Sequence, residues 1–100
     1  MAFTDTEMAQ AHDAVTATAT HQDLFKLGLM YSTDVEDRGP DYVQAHKWFN
    51  LAAMMGSEPA KAYRADLTDQ MNRQDVTLAQ RAARGWLLEQ KSAQKETVAA

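Results

Sequence analysis

Small residues and large aromatic residues recur at helical spacing in the middle of the chain, and this pattern constrains the fold more than any other feature. The first segment reads Leu27-Gly28-x-x-Tyr31, and the second runs from Asp41 to Ala60 around Trp48. Small side chains let a neighbouring helix come close, while large rings fill the space beyond the contact. The pattern therefore predicts two closely packed helices joined by a short polar turn, with Trp48 buried between them.

Capping residues divide the chain into five predicted helices. Each candidate cap is a Ser, Thr, Asp or Asn at a point where an apolar helical pattern begins, and four of them precede an acid or amide by three residues. The five caps are Thr4, Thr20, Asp41, Ser57 and Asn72. The helices are predicted at about 5–18, 21–33, 40–55, 58–71 and 73–91, and Gly56 is predicted to end the third in a left-handed conformation. No period-two run is long enough for a strand, so the expected fold class is all-α.

The fourth predicted helix places its apolar residues on one face. These residues are Ala60, Tyr63, Leu67 and Met71. On this pattern alone, all four are expected to face the interior.

Composition limits the classes of partner. The net charge of -4 disfavours binding to the nucleic-acid backbone, and the chain has no cysteine for disulfides or thiolate metal sites. No segment approaches the roughly 20 apolar residues that a membrane helix needs, and the first residues are acidic where a signal peptide is basic. We expect one cytoplasmic domain over residues 1–100, with neither a membrane nor a nucleic acid as its partner.

Candidate catalytic and metal-binding residues are few. His12, His21 and His46 share no helical turn with one another, so they are interpreted as surface histidines and not as metal ligands. The sequence has no glycine-rich phosphate loop and no Ser-His-Asp order. The chain is therefore predicted not to be an enzyme, and no cofactor or metal ion is expected.

The segment from Leu24 to Ala60 resembles a Sel1-like repeat, a relative of the tetratricopeptide repeat. Leu-Gly-x-x-Tyr is followed by Asp-x-x-x-Ala-x-x-Trp-x-x-x-Ala-Ala-x-x-Gly-x-x-x-Ala, and every signature position after Asp41 is filled. The resemblance implies an αα-superhelix, a short right-handed solenoid of about five helices. Its structural motif residues are Leu27, Gly28, Tyr31, Asp41, Ala45, Trp48, Ala52, Ala53, Gly56 and Ala60.

A single repeat cannot bury both of its faces, so capping units are expected on either side. The predicted organisation is an N-terminal capping helix within 1–20, the repeat at 21–60, a degenerate second helix pair at 61–91 and a frayed tail at 92–100. Ala83-x-x-Trp86 repeats the spacing of Ala45-x-x-Trp48 and indicates the second pair. The segment from Met71 to Trp86 also resembles the terminal helix that often closes bacterial proteins of this family.

The predicted function is a non-catalytic interaction module, or adaptor, that binds a protein or peptide through an apolar helical face. The resemblance implies that the first helix of each pair lines the concave side. Candidate contact residues on that helix and in the acidic turn after it, where the family usually has glycines, are Phe25, Leu29, Met30, Ser32, Asp34, Glu36 and Asp37. A solvated surface is the more common role of such an acidic turn. If the N-terminal capping helix covers the apolar residues of the second helix, the binding surface must lie elsewhere. The alternative function is a self-associating subunit whose repeats stack into a homo-oligomer.

Overall fold

The computed structural model describes residues 3–33 and 39–99, with side chains up to Lys91. The described residues form five helices and no β-strand, so the predicted all-α class is confirmed. The helices are α1 (Asp5–Ala17), α2 (His21–Tyr31), α3 (Tyr42–Met54), α4 (Glu58–Gln70) and α5 (Arg73–Ala99).

The predicted caps begin all five helices. At α1, the Glu7 amide donates to Thr4 Oγ1 over 3.1 Å and the Thr4 amide donates to Glu7 Oε1 over 3.1 Å, which completes a capping box. At α5, Asn72 Oδ1 accepts a hydrogen bond from the Asp75 amide at 2.8 Å. The three other helices are capped in the same way, by Thr20, Asp41 and Ser57. Gly56 follows α3 with φ 104°, which confirms the left-handed end that its position predicts.

The central element of the fold is α3. Helices α2, α4 and α5 each pack against it, and α1 packs against α2. The buried residues of α3 form the middle of the core, and they are Ala45, His46, Trp48, Phe49, Leu51, Ala52 and Ala53. Trp48 is 3% exposed, as its place in the motif predicts.

Gly28 allows α2 and α3 to come close together. A Cβ atom at this position would lie 2.5 Å from Cε1 of Phe49, far inside van der Waals contact. The ring of Phe49 therefore occupies the space that a side chain at position 28 would need. This contact is the physical reason for glycine in the Leu-Gly-x-x-Tyr segment.

Helices α4 and α5 do not repeat this close pairing. In the described part of the chain each packs more closely on α3 than on the other. The residue 38 positions after Gly28 is Asp66, since 28 plus 38 is 66, so the second pair has no glycine at the equivalent position. Whether α4 and α5 cap a solenoid stays a prediction.

The end of α5 differs from its prediction. The helix continues to Ala99, whereas the apolar pattern predicts an end near residue 91 and a frayed tail at 92–100. Residues 92–99 are rich in alanine, glutamine, lysine and glutamate, which propagate a helix that has already formed. The predicted helix end near residue 91 is therefore wrong, because apolar periodicity reports packing and carries no information on helix propensity. Fraying of the tail stays a prediction.

Candidate interaction surface

Three aromatic rings, from Phe25 on α2, Phe49 on α3 and Tyr63 on α4, form one cluster, which we call the aromatic cluster. The ring centroids of Phe25 and Phe49 are 5.7 Å apart, and those of Phe25 and Tyr63 are 5.5 Å apart in an edge-to-face arrangement. Phe49 and Tyr63 stack with centroids 5.2 Å apart and an interplanar angle of 22°. Phe49 is fully buried, whereas Tyr63 is 44% exposed. The cluster therefore begins in the core and ends at the surface.

The local sequence of α4 explains why Tyr63 lies at this edge. Ala60 and Leu67 are buried, and Tyr63 lies between them at helical spacing, so all three share one side of the helix. The stacked ring of Phe49 supports one face of Tyr63. A tyrosine suits this position because its ring is apolar while its hydroxyl can remain hydrated.

The predicted contact residues on α2 differ in their exposure. Phe25 and Leu29 are half-buried and pack against the core cluster. Met30 is fully buried and cannot contact a partner, so its assignment to the binding surface is wrong. Ser32 is half-buried, and its hydroxyl donates to the Leu29 carbonyl over 2.7 Å.

The error at Met30 has a clear physical cause. Helix α2 is apolar most of the way round because α1 packs on one side of it and α3 on another. An apolar residue outside the main stripe of such a helix can therefore belong to a second buried face. The remaining candidates, Asp34, Glu36 and Asp37, lie outside the described residues.

Tyr63 was not among the contact residues that the sequence predicts, because its helical spacing places it on the buried face of α4. One sequence signal could have identified it. Tyr63 lies 38 positions after Phe25, the same offset that relates Trp48 to Trp86. An aromatic at the position equivalent to Phe25 in a second unit is a candidate for the same exposed face.

A second group of side chains joins α1 to the rest of the protein. It consists of His12 on α1, Tyr31 on α2, and Lys47 and Trp48 on α3, and we call it the His12 cluster. His12 Nε2 hydrogen-bonds with the Tyr31 hydroxyl at 2.7 Å, and its ring meets Trp48 edge to face with centroids 5.6 Å apart. Lys47 Nζ lies 4.3 Å from the centre of the Trp48 ring. Burial lowers the pKa of His12, and the charge of Lys47 lowers it further, while Asp13 opposes the shift.

Lys47 itself is held in a partly desolvated position. Burial lowers the pKa of its amine, and the carboxylate of Glu89 on α5 opposes that shift. The amine also lies over the Trp48 ring, where cation–π attraction favours its charged form. The charged groups that act on the His12 cluster thus come from α1 (Asp13), α3 (Lys47) and α5 (Glu89).

His46 is not the surface histidine that the sequence predicts, because it is 2% exposed in the core. The Thr68 hydroxyl donates its proton to the Arg64 carbonyl over 2.8 Å, so it can only accept the 3.0 Å hydrogen bond from His46 Nε2. This assigns the proton of the neutral ring to Nε2. Burial lowers the pKa of His46, and the nearby charge of Arg64 lowers it further.

A cleft of about 510 Å³ lies between α1, the start of α3 and the start of α5. Its described lining residues are Met8, Tyr31, Thr33, Gly39, Pro40, Asp41, Tyr42, Val43 and Asp75. Asp41 caps α3, and Asp75 takes part in the cap of α5, so both carboxylates have structural partners. None of the three aromatic-cluster residues lines this cleft.

Among the described residues, no three His, Asp or Glu side chains lie close enough together to hold a metal ion. In the same residues, no helix combines the length and the apolar character needed to cross a membrane.

Comparison of the chain with protein-family models, curated proteins and solved structures finds no match. The resemblance to Sel1-like repeats therefore rests on the motif residues of this sequence.

Proposed function

We propose that this protein is a non-catalytic helical interaction module that binds a protein or peptide across α2 and α4. The aromatic cluster is the observation that supports this function. Its outer ring, Tyr63, is 44% exposed, while its inner ring, Phe49, is fixed in the core. Phe25 is half-buried beside Tyr63 and extends the apolar surface onto α2.

An anchored aromatic ring at the surface is a favourable contact for a partner. Tyrosine is enriched at protein interfaces because it offers a large apolar area and a polar tip. Tyr63 stacks on Phe49 in the free protein, so it has little rotamer freedom left to lose on binding. The partner that fits this surface is a protein or peptide segment with an exposed apolar side chain.

The arrangement of the helices is consistent with a short right-handed solenoid of the Sel1-like type. Phe25 and Tyr63, which are 38 positions apart, are in contact, and so are Trp48 and Trp86 at the same offset. In this proposal α2 and α4 are the first helices of two successive units. They would line the same side, which is the side of the aromatic cluster.

Tyr63→Ser and Tyr42→Ser form a matched pair of variants for testing this surface. Tyr42 is 42% exposed, nearly the same as Tyr63, but it lies at the start of α3 beside the cleft. The wild type and both variants would serve as bait for partner capture from the source organism, followed by mass spectrometry. Each captured protein would then be purified and its affinity for all three chains measured by calorimetry.

The expected result is a partner that binds the wild type and Tyr42→Ser with similar affinity and loses at least tenfold with Tyr63→Ser. This corresponds to about 1.4 kcal/mol of binding free energy. Equal affinity for the two variants would show that the aromatic cluster is not the binding surface. Circular dichroism spectra of both variants must match that of the wild type for the comparison to hold.

Self-association is the second candidate function, and exposed residues of α5 favour it. Leu78 is 51% exposed and Leu88 is 65% exposed, and neither belongs to the buried core cluster. A second copy of the chain could cover them and extend the stack of helices. Light scattering across a concentration series tests this idea, since a monomer at high concentration would contradict it.

A cytoplasmic location stays a prediction.

A further inference from the structure

Helix α1 has the weakest attachment of the described helices. It packs closely on α2 alone, whereas α3 packs closely on three other helices. Its buried residues are Met8, Ala11 and Val15, of which only Met8 has a long side chain. The link to α2 is short and extended, with φ/ψ of -152°/102° at Thr18 and -108°/157° at Thr20. Local opening is easiest in an element that packs little on its neighbours, so α1 is the described helix most able to detach.

His12 is a polar side chain that ties α1 to two other helices. It bonds with the Tyr31 hydroxyl of α2 at 2.7 Å and packs edge-on against Trp48 of α3. Trp48 is 3% exposed, and the ring of His12 is part of what covers it. Detachment of α1 would remove this cover.

The net effect of the surroundings of His12 in the closed state is to oppose its protonation. Lys47 of α3 lowers the pKa of His12, in addition to the larger effect of burial. Asp13, on the same helix as His12, acts in the opposite sense. Glu89 of α5 interacts with Lys47 and favours the charged form of its amine. The Tyr31 hydroxyl of α2 faces His12 as its hydrogen-bond partner.

We propose that His12 is a pH-sensitive latch, which holds α1 in place while its ring is neutral and releases α1 as the pH falls, so that Trp48 becomes exposed. This inference is independent of the proposed function, because it concerns α1 and the His12 cluster and not the α2–α4 surface.

The sign follows from proton linkage. The ordinary histidine pKa of 6.5 applies when α1 is open, and the pKa of His12 is lower when α1 is closed. The open state therefore binds more protons between these two values, and the opening equilibrium shifts toward release as the pH falls through that window. Since one proton is involved, the opening constant can increase by at most about tenfold per pH unit.

Amide hydrogen exchange on the full chain, resolved by residue and corrected for intrinsic rates, tests the latch. Opening of α1 would be compared with opening of α3 at pH 7.5 and pH 5.5. His46 lies in the core and its pKa is also lowered, so its protonation would weaken the whole fold. The comparison is therefore made in a His46→Gln background, which removes this global effect.

The expected result is that opening of α1 increases several-fold on acidification while opening of α3 changes much less. With His12→Gln, which can still hydrogen-bond to Tyr31 but does not titrate, the selective increase should disappear. The latch is overturned if α1 and α3 respond equally in the His46→Gln background, or if His12→Gln leaves the selective increase unchanged.

Two variants that leave His12 in place should change the acid-induced opening of α1 in opposite directions. They test the latch even if His12→Gln does not fold. Lys47→Gln removes the opposing charge, so acidification should open α1 less than in the parent protein. Asp13→Asn removes the favourable charge, so acidification should open α1 more. The same response in both variants would overturn the proposal.

Discussion

The rings of Trp48 and Trp86 meet edge to face with centroids 5.8 Å apart, although the two residues are 38 positions apart in the sequence, 86 minus 48. Phe25 and Tyr63 have the same offset and a similar edge-to-face contact at 5.5 Å. In the proposed solenoid, residues one repeat apart are expected to be in contact. The two pairs lie on the side of α3 and α5 and on the side of α2 and α4.

Removal of the Trp48 ring should be strongly destabilising. Because Trp48 is almost fully buried, Trp48→Ala should cost about 3–5 kcal/mol of unfolding free energy. Trp86 is only half-buried, so Trp86→Ala should cost less. Urea denaturation of both single variants and the double variant would also give the coupling of the ring pair, expected at about 0.5–1.5 kcal/mol. A coupling near zero would show that the contact does not contribute to stability.

Gly28→Ala should destabilise the protein by about 1–3 kcal/mol, because the added methyl group meets the Phe49 ring. Gly85→Ala is the matched control, since nothing lies within 4 Å of a Cβ atom at that position in α5. It should be neutral or stabilise the helix by up to about 1 kcal/mol. Thermal unfolding of the two variants should therefore shift in opposite directions, and a destabilised Gly85→Ala with an unchanged Gly28→Ala would contradict the packing of α2 on α3.

Stability should fall as the pH drops below 6.5, partly because of His46. The pKa of this buried ring is lowered in the folded state from its ordinary value of 6.5. Its contribution is therefore fully present above 6.5 and decreases as the pH falls toward the folded pKa. Urea denaturation at pH 7.5 and pH 5 should show a smaller loss for His46→Gln than for the wild type. An equal loss in both proteins would mean that His46 does not titrate as a buried group.

Substitution of Met30 should destabilise the protein more than substitution of Tyr63. Met30 is fully buried, so Met30→Ala should cost about 2–5 kcal/mol. Tyr63→Ser should cost less, because nearly half of the side chain is already exposed. Chemical denaturation of the two variants tests this order of stabilities. If Tyr63→Ser proves the more destabilising, Tyr63 is chiefly a core residue and a poor candidate for the binding surface.

Substitution of Phe25 or Leu29 should reduce stability as well as partner binding. From the sequence alone, Phe25→Ser and Leu29→Ser are expected to abolish partner binding without loss of helicity. Phe25 packs on Phe49 and Leu29 packs against the core cluster, so both substitutions should also reduce stability. Thermal unfolding should show lower midpoints for both, and unchanged midpoints would mean that these side chains are free at the surface.

The sequence by itself determined where the helices begin, where α3 ends and which fold class results. Capping side chains such as Thr4 and Asn72 bond to amides three residues away, and the left-handed conformation of Gly56 is a property of one residue. Such signals are local, so they can be read without knowing the neighbours. The close approach of α2 and α3 was also predictable, because Gly28 has no side chain to keep the two helices apart.

Only the tertiary structure decided which apolar and titratable residues are buried. Met30 and Phe25 lie on the same short helix and are both apolar, yet one is in the core and the other reaches the edge of the aromatic cluster. His46 looks like a surface residue in sequence and lies in the core. Burial depends on which helices pack on each side of a residue, and that arrangement is set by contacts between distant parts of the chain.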